Sequence, residues 1–394
     1  MNRRPDSARM ASWIRFGPAL VLLGVSGLVL VLWLVMRSSS AGSLPGSAGE
    51  SIEVLFEPTA RIGEVNRTLQ LARVDEQDVA ELQVNSLLVD DAGVVWLTFS
   101  EPVVEALPTD TQLVSFDGER WQRLEPPFPV YRALAGNREY LWVDAFGALA
   151  RFDGESWDRY TSEDGAARSY VSSAALDPSG QVWIYSIGLM VGDSPDGEMT
   201  QIPPALSSFD GTSWSRREPN QYEPFDAGSI AIGTDGSLVV SSSTARWGSG
   251  EPGGIWELRA EAIRQLWAPP PLRSDLNSLA VASDGAVWST FGESVVRVAG
   301  DEATVYEPAD GIGNKLGSAA VIEWATSSID AADGAVWVAT LGGGISRFDG
   351  ESWTTFDETD GLPSLEVTDL AVARNGRLWI RYPQDGQRVG VYQP

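Results

Sequence analysis

The chain has 394 residues, of which 28 are Lys or Arg and 54 are Asp or Glu, so its formal charge is −26. That balance argues against nucleic acid as a partner, because phosphates demand a basic face, and against adsorption to anionic lipid headgroups. No cysteine and no histidine occur, which removes disulfides, thiol catalysis, zinc–thiolate sites, a histidine phosphoacceptor and the commonest general base.

Residues 1–15 form a short, arginine-bearing N-terminus. From Phe16 to Met36 the chain is almost wholly apolar and uncharged, about the twenty residues that cross a hydrocarbon core as a helix. Arg3, Arg4, Arg9 and Arg15 precede this run and Arg37 follows it, so the positive-inside rule predicts a cytoplasmic N-terminus and export of the rest. Two readings stand: an uncleaved single-pass signal anchor, which the length of the run favours, and a signal peptide cleaved near Ser39-Ser40-Ala41. Residues 37–48 read as a flexible Ser/Gly linker. The first 37 residues carry five of the 28 basic and one of the 54 acidic side chains, leaving the exported part near −30.

From residue 49 onward the sequence repeats. A Trp inside a short apolar run recurs at Trp96, Trp142, Trp183, Trp288, Trp337 and Trp379, with Val239 filling the one double gap. Seven units at roughly 40 to 55 residues each match the period of a four-stranded propeller blade. An Asp-Gly-type turn precedes the Trp run, as at Asp284-Gly285 and Asp333-Gly334. A second signature, Phe-Asp-Gly-x-x-Trp, stands at Phe116–Trp121, Phe152–Trp157, Phe209–Trp214 and Phe348–Trp353. Apolar runs joined by Asp-Gly are strong hairpin signals. The expected fold is an all-β, seven-bladed β-propeller over residues 49–394. The seventh unit ends without its outer strand, and residues 49–57 (GESIEVLFE) imitate the outer-strand sequence Gly350–Phe356, so they are expected to close the last blade. Residues 58–82 read as a connector with a helical turn near 75–82.

The stretch 333–364 (DGAVWVATLGGGISRFDGESWTTFDETDGLPS) resembles the two-component regulator propeller repeat, and 370–382 continues in the same style. The resemblance implies an extracytoplasmic sensor or binding propeller of the kind joined through a membrane helix to a histidine kinase. The histidine-free sequence has no kinase module, so the expected role is ligand sensing or protein interaction. The Asp-Gly-Trp turns also resemble the Asp-box of sialidases, a folding device that says nothing of activity.

Tight turns occupy one face of such a propeller. The long insertions, 100–112, 186–206, 241–254 and the link 308–324, all fall on the other, where binding is expected. Arg246 and Trp247 are the leading candidates there, an aromatic beside a guanidinium that could stack on a sugar ring or anchor a protein partner. Tyr185, Lys315, Trp324 and Arg381 are further candidates, and a rim-covering role for Trp247 stands beside the binding role. The acidic stretch 357–361 reads as a solvated turn or a weak Ca²⁺ ligand set, with the turn preferred. No metal, cofactor or catalytic residue is called for. The alternatives kept open are a carbohydrate-active enzyme, glycosidase or lyase, working in the central pocket, and a scaffold or assembly factor for membrane proteins.

Overall fold

The computed structural model describes residues 43–44, 51–59, 65–74, 79–81 and 83–393, except 101–110, 167–170, 188, 193–198, 203, 218–226, 245–251, 260–261, 271–275, 314–325, 333, 361, 374–375 and 383–388. Alternating apolar runs separated by Asp-Gly turns fold into consecutive antiparallel sheets of four strands. Blade 1 comprises Gln83–Val89, Val95–Ser100, Gln112–Phe116 and Trp121–Leu124; blade 2, Arg132–Gly136, Leu141–Asp144, Leu149–Phe152 and Trp157–Tyr160. Blade 3 is built from Val171–Leu176, Val182–Ser186, Ala205–Phe209 and Trp214–Arg217, with an extra hairpin, Leu189–Gly192 against Met199–Ile202, between its second and third strands. Blade 4 follows with Ala227–Ile232, Leu238–Thr244, Pro252–Arg259 and Ala262–Trp267, and blade 5 with Leu276–Val281, Val287–Phe291, Ser294–Ala299 and Glu302–Tyr306. Blade 6 is Thr326–Ala332, Ala335–Thr340, Gly344–Phe348 and Trp353–Phe356. Asp369–Val372, Leu378–Arg381 and Val389–Gln393 begin blade 7. Each first strand lies against the first strand of the next blade, and that of blade 7 lies against that of blade 1, so the ring is closed.

The strand that completes blade 7 is Val65–Val74, not residues 49–57 as expected. Val65 pairs with Gln393 and the register runs to Leu69 against Val389. Ser51–Thr59 instead forms a hairpin with the full length of Val65–Val74 and lies one strand further out. The two arms carry equivalent alternation, Val54 and Phe56 in one and Leu69 and Leu71 in the other. Similarity to an outer strand therefore did not distinguish which arm meets the sheet edge. In the connector, Val79–Glu81 is a strand on the far half of Val65–Val74 where a helical turn was expected. Residues 16–36 lie outside the described residues; among the described residues no helix is long and apolar enough to cross a membrane.

The repeated motifs have separate structural duties. In Phe-Asp-Gly-x-x-Trp the Asp accepts two backbone N–H groups across the turn: Asp153 Oδ1 takes those of Glu155 and Ser156 at 2.9 and 2.7 Å, and Asp117, Asp210 and Asp349 do the same. The following Gly supplies the left-handed φ, 97° at Gly154 and 103° at Gly350, which a residue with a Cβ rarely adopts. In blades 2, 5 and 7 the second-strand Trp packs on the Phe and Trp of the next blade's motif. Trp142 sits 5.7 Å from Phe209 and 5.8 Å from Trp214, Trp288 5.3 and 6.3 Å from Phe348 and Trp353, and Trp379 5.8 and 6.3 Å from Phe116 and Trp121.

The first strands are tied together by small hydroxyls. Ser86, Ser173 and Ser278 hold one repeat position, and their Oγ atoms accept the N–H of Ala133, Ile230 and Ile329 in the following blades at 3.0, 3.1 and 3.2 Å. These bonds satisfy backbone donors that no sheet reaches.

Candidate functional site

Strand register pairs each inner-strand serine with the residue two places after the second-strand Trp position. Ser86 faces Thr98, Ser173 faces Tyr185 and Ser229 faces Ser241. Blades 2 and 7 break the pattern. There the pairs are Arg132 with Asp144 and Asp369 with Arg381, placing one guanidinium and one carboxylate on each side of blade 1. Both pairs lie where the inner strands begin, at the end of the propeller that carries the interblade links and long loops.

The backbone reason is local. Arg132 opens its inner strand and Asp144 ends the second, so their side chains project from the sheet's end. Asp144 is 3% exposed, and its Oδ1 accepts the Phe146 N–H at 3.1 Å. Phe146 adopts φ 52°, the one positive φ at a non-glycine residue among the described residues, and its ring lies 5.5 Å from Tyr131. Arg381 reaches across the blade boundary: its Nη1 donates to the Val84 carbonyl at 3.3 Å and its Nε lies 3.8 Å from Asp369 Oδ2. In blade 1, between the two pairs, Asn85 Nδ2 donates to Ser100 Oγ at 3.2 Å.

Burial governs the electrostatics. It pushes the Asp144 carboxyl up, against the opposing pull of Arg132 and the backbone N–H groups. It pushes the Arg132 guanidinium down, partly offset by Asp144 and Tyr131, while Arg381 adds repulsion. Among the described residues, Asp144 Oδ2 and Arg132 Nε meet no hydrogen-bond partner. Desolvating an ion costs several kcal/mol unless polar atoms compensate, so these atoms are the ones an incoming polar group would satisfy. The arrangement suits recognition of a hydrogen-bond-rich ligand. In blade 6, Asp330 Oδ2 accepts the Val372 N–H at 2.7 Å and so joins blades 6 and 7.

The sequence-derived candidates disperse. Arg381 belongs to the cluster. Tyr185, at the same repeat position as Asp144 and Arg381, is 1% exposed and packs among Leu206, Ile230 and Leu238 between blades 3 and 4. Arg246, Trp247, Lys315 and Trp324 lie outside the described residues. In the stretch 357–361, Asp357 Oδ1 accepts the Thr359 N–H at 2.7 Å and its hydroxyl at 2.6 Å, which makes a turn. Arg132, Asp144 and Asp369 escaped the sequence reading. Aligning the seven repeats two places beyond the Trp, to give Thr98, Asp144, Tyr185, Ser241, Thr290, Ala339 and Arg381, would have exposed the charge at blades 2 and 7.

No protein-family model and no curated protein matches the chain. Solved structures share its fold. The extracellular domain of a hybrid two-component system from B. thetaiotaomicron aligns with TM-score 0.51 and 12% identity, covering 86% of this chain and 40% of that one. PorZ, a surface component of the type-IX secretion system of Porphyromonas gingivalis, aligns with TM-score 0.56 and 13% identity, covering 90% and 57%. YCF48 bound to a D1 peptide aligns with TM-score 0.54 and 12% identity, covering 86% and 100%. This chain thus spans about 40% of the length of the first of these. At such identities the likeness is one of fold.

Proposed function

We propose that this propeller is a membrane-anchored extracytoplasmic recognition module, a ligand sensor or protein-interaction domain of the two-component regulator propeller type, whose binding surface is the loop-bearing mouth across blades 7, 1 and 2. The observation that carries the reading is the replacement of the inner-strand serine by Arg132 in blade 2 and Asp369 in blade 7, each facing a residue of opposite charge, Asp144 and Arg381. Arg132 and Asp144, withdrawn from water at the mouth, cost stability, and recognition is the benefit that would retain them. The apolar run at residues 16–36 supports the anchor, and the fold shared with extracellular domains of two-component systems supports the extracytoplasmic setting.

The test is a thermal-shift series on wild type and Arg132→Gln with mono- and oligosaccharides, amino acids and short peptides. A ligand that binds the native state raises the melting temperature. At least one probe is expected to stabilise wild type and to lose at least tenfold in affinity with Arg132→Gln. A stabilising probe that binds both proteins equally would remove the mouth from the proposal, and a panel without any shift would overturn sensing of these classes.

A further inference from the structure

Blade 4 has lost the Phe-Asp-Gly-x-x-Trp motif, and the loss is uneven at its two interfaces. By strand register, Leu258 stands where Phe209 and Phe348 stand, and Ile263 where Trp214 and Trp353 stand. At the boundary with blade 5 both sides have changed together: Val239 replaces the Trp, Val298 and Ala303 replace the Phe and Trp, and small side chains pack directly. At the boundary with blade 3 only one side has changed. Trp183 is retained and faces Leu258 and Ile263 in place of a Phe and a Trp.

Two further elements of the aromatic packing are missing around Trp183. The outer-strand ring that flanks the Trp in blades 2 and 5, Tyr160 at 5.6 Å from Trp142 and Tyr306 at 5.8 Å from Trp288, is replaced by Arg217. The third-strand Arg that lies over the Trp in blades 2, 5 and 6, at 5.9, 5.8 and 5.7 Å from the ring centre, is replaced by Ser208. Among the described residues Trp183 makes no ring contact. It is half-buried, whereas Trp142, Trp288 and Trp379 are 1 to 2% exposed.

The result is a cavity of about 480 Å³ between blades 3 and 4, lined by Trp183, Leu206, Leu238, Leu258, Ser208 and Ser215, with Asp235 and Arg259, ion-paired to each other, at its hairpin-face edge. We infer that this slot is a binding site for a small aromatic molecule of one or two rings, held against Trp183 where the interfaces of blades 2 and 3, 5 and 6, and 7 and 1 carry their own Phe and Trp. The volume lies within the roughly 300–1,000 Å³ of small-molecule sites, and offset or edge-on packing of the guest against the indole favours an aromatic over an aliphatic guest. Serine hydroxyls at the wall provide polar contacts for a ring N–H or O–H. The site lies away from the mouth and does not depend on the function proposed for it.

Calorimetric titration of the full-length protein with indole, and with phenol as a second probe, tests the inference. Saturable binding is expected in wild type and in Arg132→Gln. It should fall at least tenfold in Leu258→Phe/Ile263→Trp, which rebuilds the aromatic pair, and in Ser208→Arg, which restores the covering guanidinium; melting curves establish that each variant is folded. Indole and phenol both failing to bind wild type, or binding undiminished in a folded Ser208→Arg variant, would overturn the site. So would a Trp-containing peptide that binds while free indole does not, since it would move the slot to a protein partner.

Discussion

Asp153 illustrates how a single carboxylate holds a blade's outer hairpin. Three bonds to its oxygens, from the Ser156 and Glu155 N–H groups and the Ser156 hydroxyl, hold its pKa at about 2 against an ordinary 3.8. A lowered pKa means that the ionised form is favoured by the fold, so its stabilising effect is full above the ordinary value and disappears as pH falls toward 2. Asp153→Asn should melt below wild type at about pH 7, and the gap should close between about pH 4 and 2; a constant gap across that range would show that the carboxylate's charge is irrelevant. The tryptophans obey a different rule, since what counts is the partner across the blade boundary. Trp142→Ala removes a ring packed on Tyr160, Phe209 and Trp214 and should cost about 3–5 kcal/mol. Trp183→Ala removes a half-buried ring beside a cavity and should cost roughly 1–2 kcal/mol. Denaturant titration of the two variants checks the order, and equal losses would show that Trp183 is packed as tightly as its counterparts.

At the scale of the strand, the edge of Val389–Gln393 is the seam of the ring, and Val65–Val74 covers it. An uncovered strand edge invites pairing with other chains. The register distinguishes two truncations. A chain starting after residue 60 keeps the strand on the blade edge and should unfold cooperatively, while one starting after residue 78 should lose cooperativity or aggregate. Calorimetry and light scattering decide between them, and equivalent behaviour of the two would mean that Val65–Val74 contributes nothing to closure. The blades themselves were legible because Trp142, Asp153 and Gly154 each recur at fixed offsets, and recurrence separates a structural duty from chance. Closure was legible as a need but not as an address, because Val54 and Phe56 alternate as well as Leu69 and Leu71 do. The charged mouth was harder still: Arg132 meets Asp144 only through the strand register, and Arg381 meets Val84 across 297 residues of sequence. The packing of Tyr185 was hidden for a related reason, since in blade 3 that repeat position lies in the core between blades 3 and 4.

For the whole molecule, charge and architecture bear on where the propeller works. A charge of −26 carried with a single lysine, Lys315, favours repulsion from anionic membrane surfaces, so a propeller held at a membrane needs a covalent tether. In the anchored reading proposed above, the apolar run 16–36 is the spanning segment, and four arginines before it against Arg37 just after it would keep the N-terminus inside. A reporter enzyme that is active only outside the cytoplasm, fused after residue 48, should therefore be active and should fractionate with membranes. Replacing Arg3, Arg4, Arg9 and Arg15 with neutral residues should lower reporter activity by weakening the inside signal. An active reporter released into the soluble exported fraction would mean that the run is cleaved, and an inactive one would place the propeller in the cytoplasm and overturn the extracytoplasmic assignment.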